Sequence, residues 1–351
     1  MTAVFPFFLL LLFPISAAMA LRFGGIYLLL APAFAFVVMP AADYLMDKVK
    51  RPEALRLSVS SSGEVLADAL LHSYVVLQLA LLAAGIMSIP DVLEQRGWLE
   101  VFGLVLTFGI MTGGIGITIA HELVHRREAF SYWSGVVLLC SVFYGHFAIE
   151  HVLGHHSHVG TRQDPATARR GENVWFFALR SVFMGIKSAN VIEKLRLSRA
   201  GLTWWSSSNR IFKIWAISAF FAALTGLIGG WAGLLFFVLQ AVVAVLLLEL
   251  INYVEHYGLE RKILENGKPE PVQLWHSWDS HSRISGWILI HLSRHADHHK
   301  YPARPFTKLE GSKSSPLLPA SYPACVLLAT VPPLWYRVMN RRLDNFEGNR
   351  S

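Results

Sequence analysis

Long stretches without a charged side chain alternate with polar, histidine-rich stretches along this chain. Residues 1–21 hold no Asp, Glu, Lys or Arg, and neither do 23–42, 69–90, 101–120, 214–230 or 231–248. A helix needs about 20 apolar residues to cross a bilayer core of roughly 30 Å. The pattern therefore predicts six transmembrane helices, at approximately 4–21, 23–45, 67–90, 99–122, 211–229 and 231–255. Ala18-Met19-Ala20 resembles a signal-peptidase site, but no Lys or Arg precedes the first apolar run. That run reads as a retained span. Polar chain concentrates at 157–210 and 256–317, which are expected to cap the bundle. The fold class is an all-α integral membrane protein: a six-helix bundle with a cytoplasmic helical cap, in a single domain covering 1–351.

Composition supports this reading. Of 351 residues 54% are apolar and 16% charged, against about 25% charged in soluble domains, and the mean hydropathy is +0.43. A disordered chain and an ordinary cytosolic enzyme are excluded. The net charge of +7 fits the positive-inside rule better than nucleic-acid binding. With the N-terminus in the cytoplasm, the loop bearing Lys48, Lys50, Arg51 and Arg56 is cytoplasmic, and the outer turns keep only Arg22 and Arg96. A multi-pass protein of a bacterial-type inner membrane follows, with its polar cap in the cytoplasm. Cys140 and Cys325 are the only cysteines, so no zinc ribbon, rubredoxin-type site or disulfide framework is encoded.

Fifteen histidines are present, and nine matter most. His121 and His125 fall at i and i+4 in HELVHRR at the end of the fourth apolar run. His151, His155 and His156 follow in EHVLGHH, and His295, His298 and His299 in LSRHADHH. Three clusters with helical spacing point to metal ligation, and eight imidazoles suit two metals rather than one. All must reach one site, so the apolar stretch 132–150 is expected to be a non-spanning, membrane-embedded helix. The segment 316–335, with five prolines, reads as interfacial. HELVH alone also fits an HExxH zinc protease with Glu122 as general base, but that reading leaves six clustered histidines without a role. The last apolar run ends in NYVEHYG, where Glu249, Asn252 and His256 share one helical face.

In this order and spacing, HELVHRR, EHVLGHH, NYVEHYG and LSRHADHH resemble the histidine boxes of the membrane alkane 1-monooxygenases. These are related to the xylene monooxygenases and, more loosely, to the fatty-acid desaturases. NYVEHYG separates the first two from the desaturases. Asp164-Pro165-Ala166-Thr167, Leu197-Ser198-Arg199 and Trp275-His276-Ser277-Trp278 extend the resemblance, which covers about residues 20–340. Ser293 stands where the alkane enzymes usually have Gln, and Val124 and Arg126 where Gly and Lys are common.

The resemblance implies a membrane non-haem di-iron monooxygenase that converts n-alkanes to primary alcohols with O₂. Its implied iron ligands are His121, His125, His151, His155, His156, His256, His295, His298 and His299. Glu122, Glu150, Glu255 and Asp297 adjoin ligands and could orient their free ring nitrogens. Asn252 could hold His256 from the preceding turn, and His276 and His281 are further supporting candidates. Gly113 and Gly116, just above His121, are candidates for the wall of a substrate channel. Aromatic-methyl hydroxylation and desaturation are the neighbouring alternatives. The chain carries no Cys₄ site and no dinucleotide loop, so a separate rubredoxin or ferredoxin with its NAD(P)H reductase must supply electrons. The cap's Arg162, Arg169, Arg170, Arg294, Lys300 and Arg304 are candidate docking residues for that carrier.

Overall fold

The computed structural model describes residues 4–49 and 59–348. Lys50, Arg51 and Arg56 lie outside the described residues. Within them the chain is helical, with no strand beyond two isolated bridges. Five helices are long and apolar enough to cross a membrane by length and composition: α1 (Phe5–Phe23), α2 (Gly25–Lys48), α3 (Ser61–Arg96), α4 (Trp98–Val124) and one of 47 residues, Arg210–His256.

That long helix is folded in two. Gly230 has φ 59° and ψ −156°, outside the helical region. The rings of Phe221 and Phe237 lie 6.3 Å apart, whereas 16 residues of straight helix would separate them by about 24 Å. The sequence places a boundary between 229 and 231, and the chain reverses there. Gly24 (φ 60°) and Gly97 (φ 81°) make the same kind of reversal between α1 and α2 and between α3 and α4. Only glycine takes this conformation without steric cost. The result is six apolar limbs joined in three tight hairpins.

The limb 231–256 is central. Its Ala244 lies against Gly113 of α4 and its Val243 against Gly109, so closely that an added Cβ at either glycine would meet it below 3.0 Å. Buried polar groups bind the limbs together in a medium that offers no water. Thr112 donates to Gln240 (2.8 Å), which in turn donates to the Ser141 carbonyl (3.1 Å). At Met111–Gly116 α4 widens into a π-turn, and Tyr74 donates its hydroxyl hydrogen to the Met111 carbonyl at 3.2 Å.

The segment 132–150 begins within a 12-residue helix, α5 (Ala129–Cys140), too short to cross. The chain then turns through Phe143, at φ 56°, and re-enters helix at 147–158. This brings His151 back to His125. Beyond it, α6 (Val174–Arg199) differs from the water-facing cap expected at 157–210. Phe176 (72% exposed) and Phe183 (69%) lie on its outer face with Leu179, an arrangement suited to lipid contact. The segment 256–317 is mostly irregular, and α7 (Pro332–Gly348) is the last described element.

Candidate metal centre

Four elements bring the histidines together. His121 and His125 end α4. His151, His155 and His156 sit on 147–158, wound as a π-helix over Glu150–His155. His256 ends the central limb, and His295–Lys300 forms one helical turn carrying the rest. That turn is aimed by a strained approach, since Ile290 and His291 adopt φ 42° and 59°. Such conformations cost about 1–3 kcal/mol each for residues with a Cβ. His291 fixes the approach through its Nδ1 at 3.1 Å from the Phe306 carbonyl and through an edge contact with Phe7.

The nine imidazoles form two groups. His121, His125, His151, His156 and His298 make one; His155, His256, His295 and His299 make the other. In the first, Nε2 atoms stand 3.0 Å apart for His125 and His151, and 3.1 Å for His151 with His156 and for His156 with His298. In the second the spacings are 3.2 Å (His155, His299), 2.9 Å (His299, His295) and 3.0 Å (His295, His256). Nitrogens bonded to one metal at about 2.1 Å stand about 3.0 Å apart at right angles and about 3.4 Å apart in a tetrahedron. The spacings of 2.9–3.2 Å are those of imidazoles converging on a common centre. The buried His121 Nε2, its ring 4.4 Å from that of His151, has no hydrogen-bond partner. A donor set of converging neutral imidazoles suits a transition metal such as iron.

Electrostatics keeps most of these lone pairs available. Burial pushes His125 down to about 3 and also lowers His151, His156, His295, His298 and His299, with mutual repulsion adding to it. His155 differs. Burial opposes its charge, but Asp164 together with Glu150 and Glu249 outweighs burial and raises it.

Asp164 is the supporting residue that the motif reading did not include among site residues. Its Oδ2 lies 2.9 Å from His155 Nδ1, and its carboxylate accepts from Thr167 Oγ1 (2.5 Å) and the Ala166 N–H (3.0 Å). Its signal was present in the Asp164-Pro165-Ala166-Thr167 motif: a short polar run eight residues past a ligand box.

The other supporting candidates are placed differently. Glu122 is bound by Arg126 (2.8 and 3.0 Å), not by a histidine. Asp297 accepts from Arg304 at 2.7 and 2.8 Å and from the Glu310 N–H. Asn252 donates to Glu249 at 3.3 Å rather than to His256. His276 lies 3.2 Å from Glu270, and its Nδ1 accepts from the Gln273 N–H, away from the two groups. His281 lies 3.8 Å from Asp279 and packs against Gly311. Glu150 keeps one buried oxygen without a partner, and burial raises it to about 8. Glu255 alone of the sequence candidates reaches a nitrogen of the two histidine groups, its Oε2 lying 3.2 Å from His295 Nε2. Gly116 packs on Gln78 and Gly113 on the Ala244 backbone, although Gly113 also borders a small cavity beside His121, His151 and His295.

The fatty acid desaturase family model matches residues 96–329, the stretch that holds every box. Alkane 1-monooxygenase 2 of Alcanivorax borkumensis is 36% identical over 317 residues, covering 90% of this chain and 82% of the relative. The chain belongs to the fatty acid desaturase family and, within it, to the alkane 1-monooxygenases. Alkane 1-monooxygenase 1 of Pseudomonas aeruginosa is 40% identical over 250 residues, covering 71% of this chain and 65% of that enzyme, just under two thirds of its length. The xylene/toluene monooxygenase hydroxylase component of Pseudomonas putida is more distant, at 29% identity over 69% of this chain and 64% of its own. In this family setting the two histidine groups fit a non-haem iron centre.

Proposed function

We propose that the protein is a membrane alkane 1-monooxygenase that hydroxylates the terminal carbon of n-alkanes, with the nine histidines of the two groups holding two irons. The observation that carries this reading is the convergence of nine box histidines into groups of five and four in a chain 36% identical to an alkane 1-monooxygenase over 90% of its length. The iron pair, when bound, supplies the activation of O₂: with two electrons and two protons, one oxygen atom goes to the substrate and the other leaves as water.

The protein's own residues contribute position, dryness and charge. Asp164 fixes the ring of His155 and holds its outer proton. Gly113, Ile117, Leu248, Ile251 and Leu292 line the small cavity at His121, His151 and His295, where a terminal methyl group would meet apolar walls and exclude water. Glu255 at His295 places one carboxylate among otherwise neutral donors.

The six limbs are proposed to span an inner membrane, with the N-terminus and the histidine groups at the cytoplasmic side. Electrons come from a soluble rubredoxin or ferredoxin and its NAD(P)H reductase. The test combines iron and zinc analysis of purified protein with product analysis in whole cells supplied with n-octane or p-xylene. Two irons and 1-octanol are expected. The xylene relative gives an aromatic-methyl hydroxylase as the second reading, which p-methylbenzyl alcohol without octanol would favour. One zinc and no O₂ uptake would overturn both.

A further inference from the structure

An apolar groove of about 390 Å³ runs between the central limb, α6 and the turn after α5. Val238, Ala241 and Val242 form one wall, Leu179 and Val182 of α6 the other, with Phe143 at its edge. Its size falls within the roughly 300–1,000 Å³ typical of small-molecule sites. Three features decide what passes through it.

The first is the surface it opens on. Val242 is 57% exposed and Leu179 60%, and α6 continues that surface with Phe176 and Phe183. An opening framed by exposed aliphatic and phenyl groups in a membrane protein faces acyl chains rather than water.

The second is where it leads. Tyr144, His146 and Glu249 close its inner end, and the same three residues line a second small cavity that reaches His151 and His155. The groove is therefore separated from the histidine groups by one polar layer.

The third is that layer itself. Tyr144 donates its hydroxyl hydrogen to Glu249 Oε1 at 2.6 Å, Asn252 donates to the other oxygen at 3.3 Å, and the His146 ring sits 4.4 Å from that of Tyr144. Glu249 and Tyr144 are buried, and neither contributes to either histidine group. Buried ionisable groups in a membrane protein are costly, and they cluster on pathways. Glu249 is also held by Ser181 of α6. It therefore stays in place when the Tyr144 hydroxyl, bound through its contact with Glu249, swings out by rotation of its own side chain. The polar atoms of the layer match the hydroxyl of an alcohol.

We propose that this groove is the lateral door by which the apolar substrate passes from the bilayer to the metal centre, with Tyr144 and Glu249 as its latch. This rests on the reading that the substrate is an alkane. The door lies between α6 and the central limb, distinct from the glycine-lined face of α4. Its residues set how readily long chains are admitted.

The test uses the iron-loaded full chain in nanodiscs. Leu179→Trp and Val242→Trp narrow the mouth from its two walls at exposed positions that folding tolerates, and Ala241→Trp blocks it deeper. With iron content unchanged, each mouth variant should raise KM for n-octane at least tenfold while kcat falls less than twofold. Photo-crosslinking with a diazirine-bearing alkane, mapped by peptide mass spectrometry, supplies a readout independent of turnover. Labels should fall on 142–146, 178–186 and 238–249, and excess octane should compete them away. Tyr144→Phe should move labelling inward, towards Phe147, Pro165 and Ala166 of the inner cavity. Wild-type KM in both mouth variants, or labelling confined to other helices, would overturn the door. Labelling of the groove that octane does not compete would mark a fixed lipid tail and overturn it as well. Competed labelling in an iron-loaded enzyme that forms no alcohol would instead count against the alkane reading, so the two failures are distinguishable.

Discussion

Asp164 bears on one ligand through one hydrogen bond, so its substitution isolates the value of holding an imidazole in place. Asp164→Asn keeps the shape and one acceptor oxygen, enough for either the Ala166 N–H or the Thr167 and His155 side but not both, and it loses the charge opposite His155. Partners of this kind affect metal affinity about 10–100-fold. Iron titration of the apoprotein should show a loss in that range at one of the two sites, with the other unchanged. Equal affinity at both sites would mean that the surrounding pack of imidazoles fixes His155 unaided. His256 gives a second residue-scale test. It belongs to the group of four, with Nε2 at 3.0 Å from that of His295. His256→Ala should lower iron content from two equivalents towards one and abolish hydroxylation while membrane insertion persists. His72, whose Nδ1 lies 2.9 Å from the Asp68 carbonyl and whose ring stacks on Phe130, is the control: His72→Ala should keep full iron.

At the scale of elements, helical winding decides which histidines act together. In EHVLGHH an ordinary helix would align His151 with His155. The π-winding of Glu150–His155 instead brings His151 and His156 to 3.1 Å and sends His155 to the other group. On the turn His295–Lys300, His295 and His299 share a group at i and i+4 while His298 leaves for the other. The convergence of the boxes was thus legible from their spacing, but their partition was not, because a one-residue change of helical pitch rotates every later side chain. Carboxylates next to ligands were a poor guide for a related reason. Neighbours in sequence on a helix point away from one another, so Glu122 and Asp297 meet arginines and the orienting carboxylate comes from a separate loop. The α4 glycines show the same limit. An added Cβ at Gly113 would stand 2.6 Å from the Ala244 Cα, whereas at Gly114 it would meet nothing within 4 Å. Gly113→Leu should therefore cost folding, about 1–3 kcal/mol or more of overpacking, and lower the yield of folded protein on all substrates. Gly114→Leu should fold normally. A Gly113→Leu enzyme that folds and selectively rejects long alkanes would restore that face of α4 as a channel wall.

For the whole molecule, apolar runs made the membrane fold legible, and Gly230 separated two limbs that hydropathy alone nearly merges. Surface charge was less legible. An excess of 31 Lys and Arg over 24 Asp and Glu serves topology first, and several basic residues prove to be engaged within the fold. Arg170 pairs with Asp344 (2.7 Å), Arg304 with Asp297, and Arg294 points to the Leu309 carbonyl. Exposed Arg337 and Arg341 of α7 flank a groove that Trp278 also lines, and the Trp278 N–H donates to the carbonyl of Glu255, the residue before His256. A basic rim one hydrogen bond from the residue that precedes a candidate ligand suits the proposed acidic electron carrier. Attraction across exposed charges is screened beyond about 8 Å at physiological salt, and rim charges act mainly on association rate. Raising NaCl from about 50 to about 500 mM should therefore raise KM for the reduced carrier about tenfold with little change in kcat. Arg337→Glu with Arg341→Glu should reproduce that increase at low salt, while turnover driven by a small chemical reductant stays at the wild-type level. A carrier KM indifferent to both salt and charge reversal would leave these arginines to membrane topology alone and place electron delivery on another face.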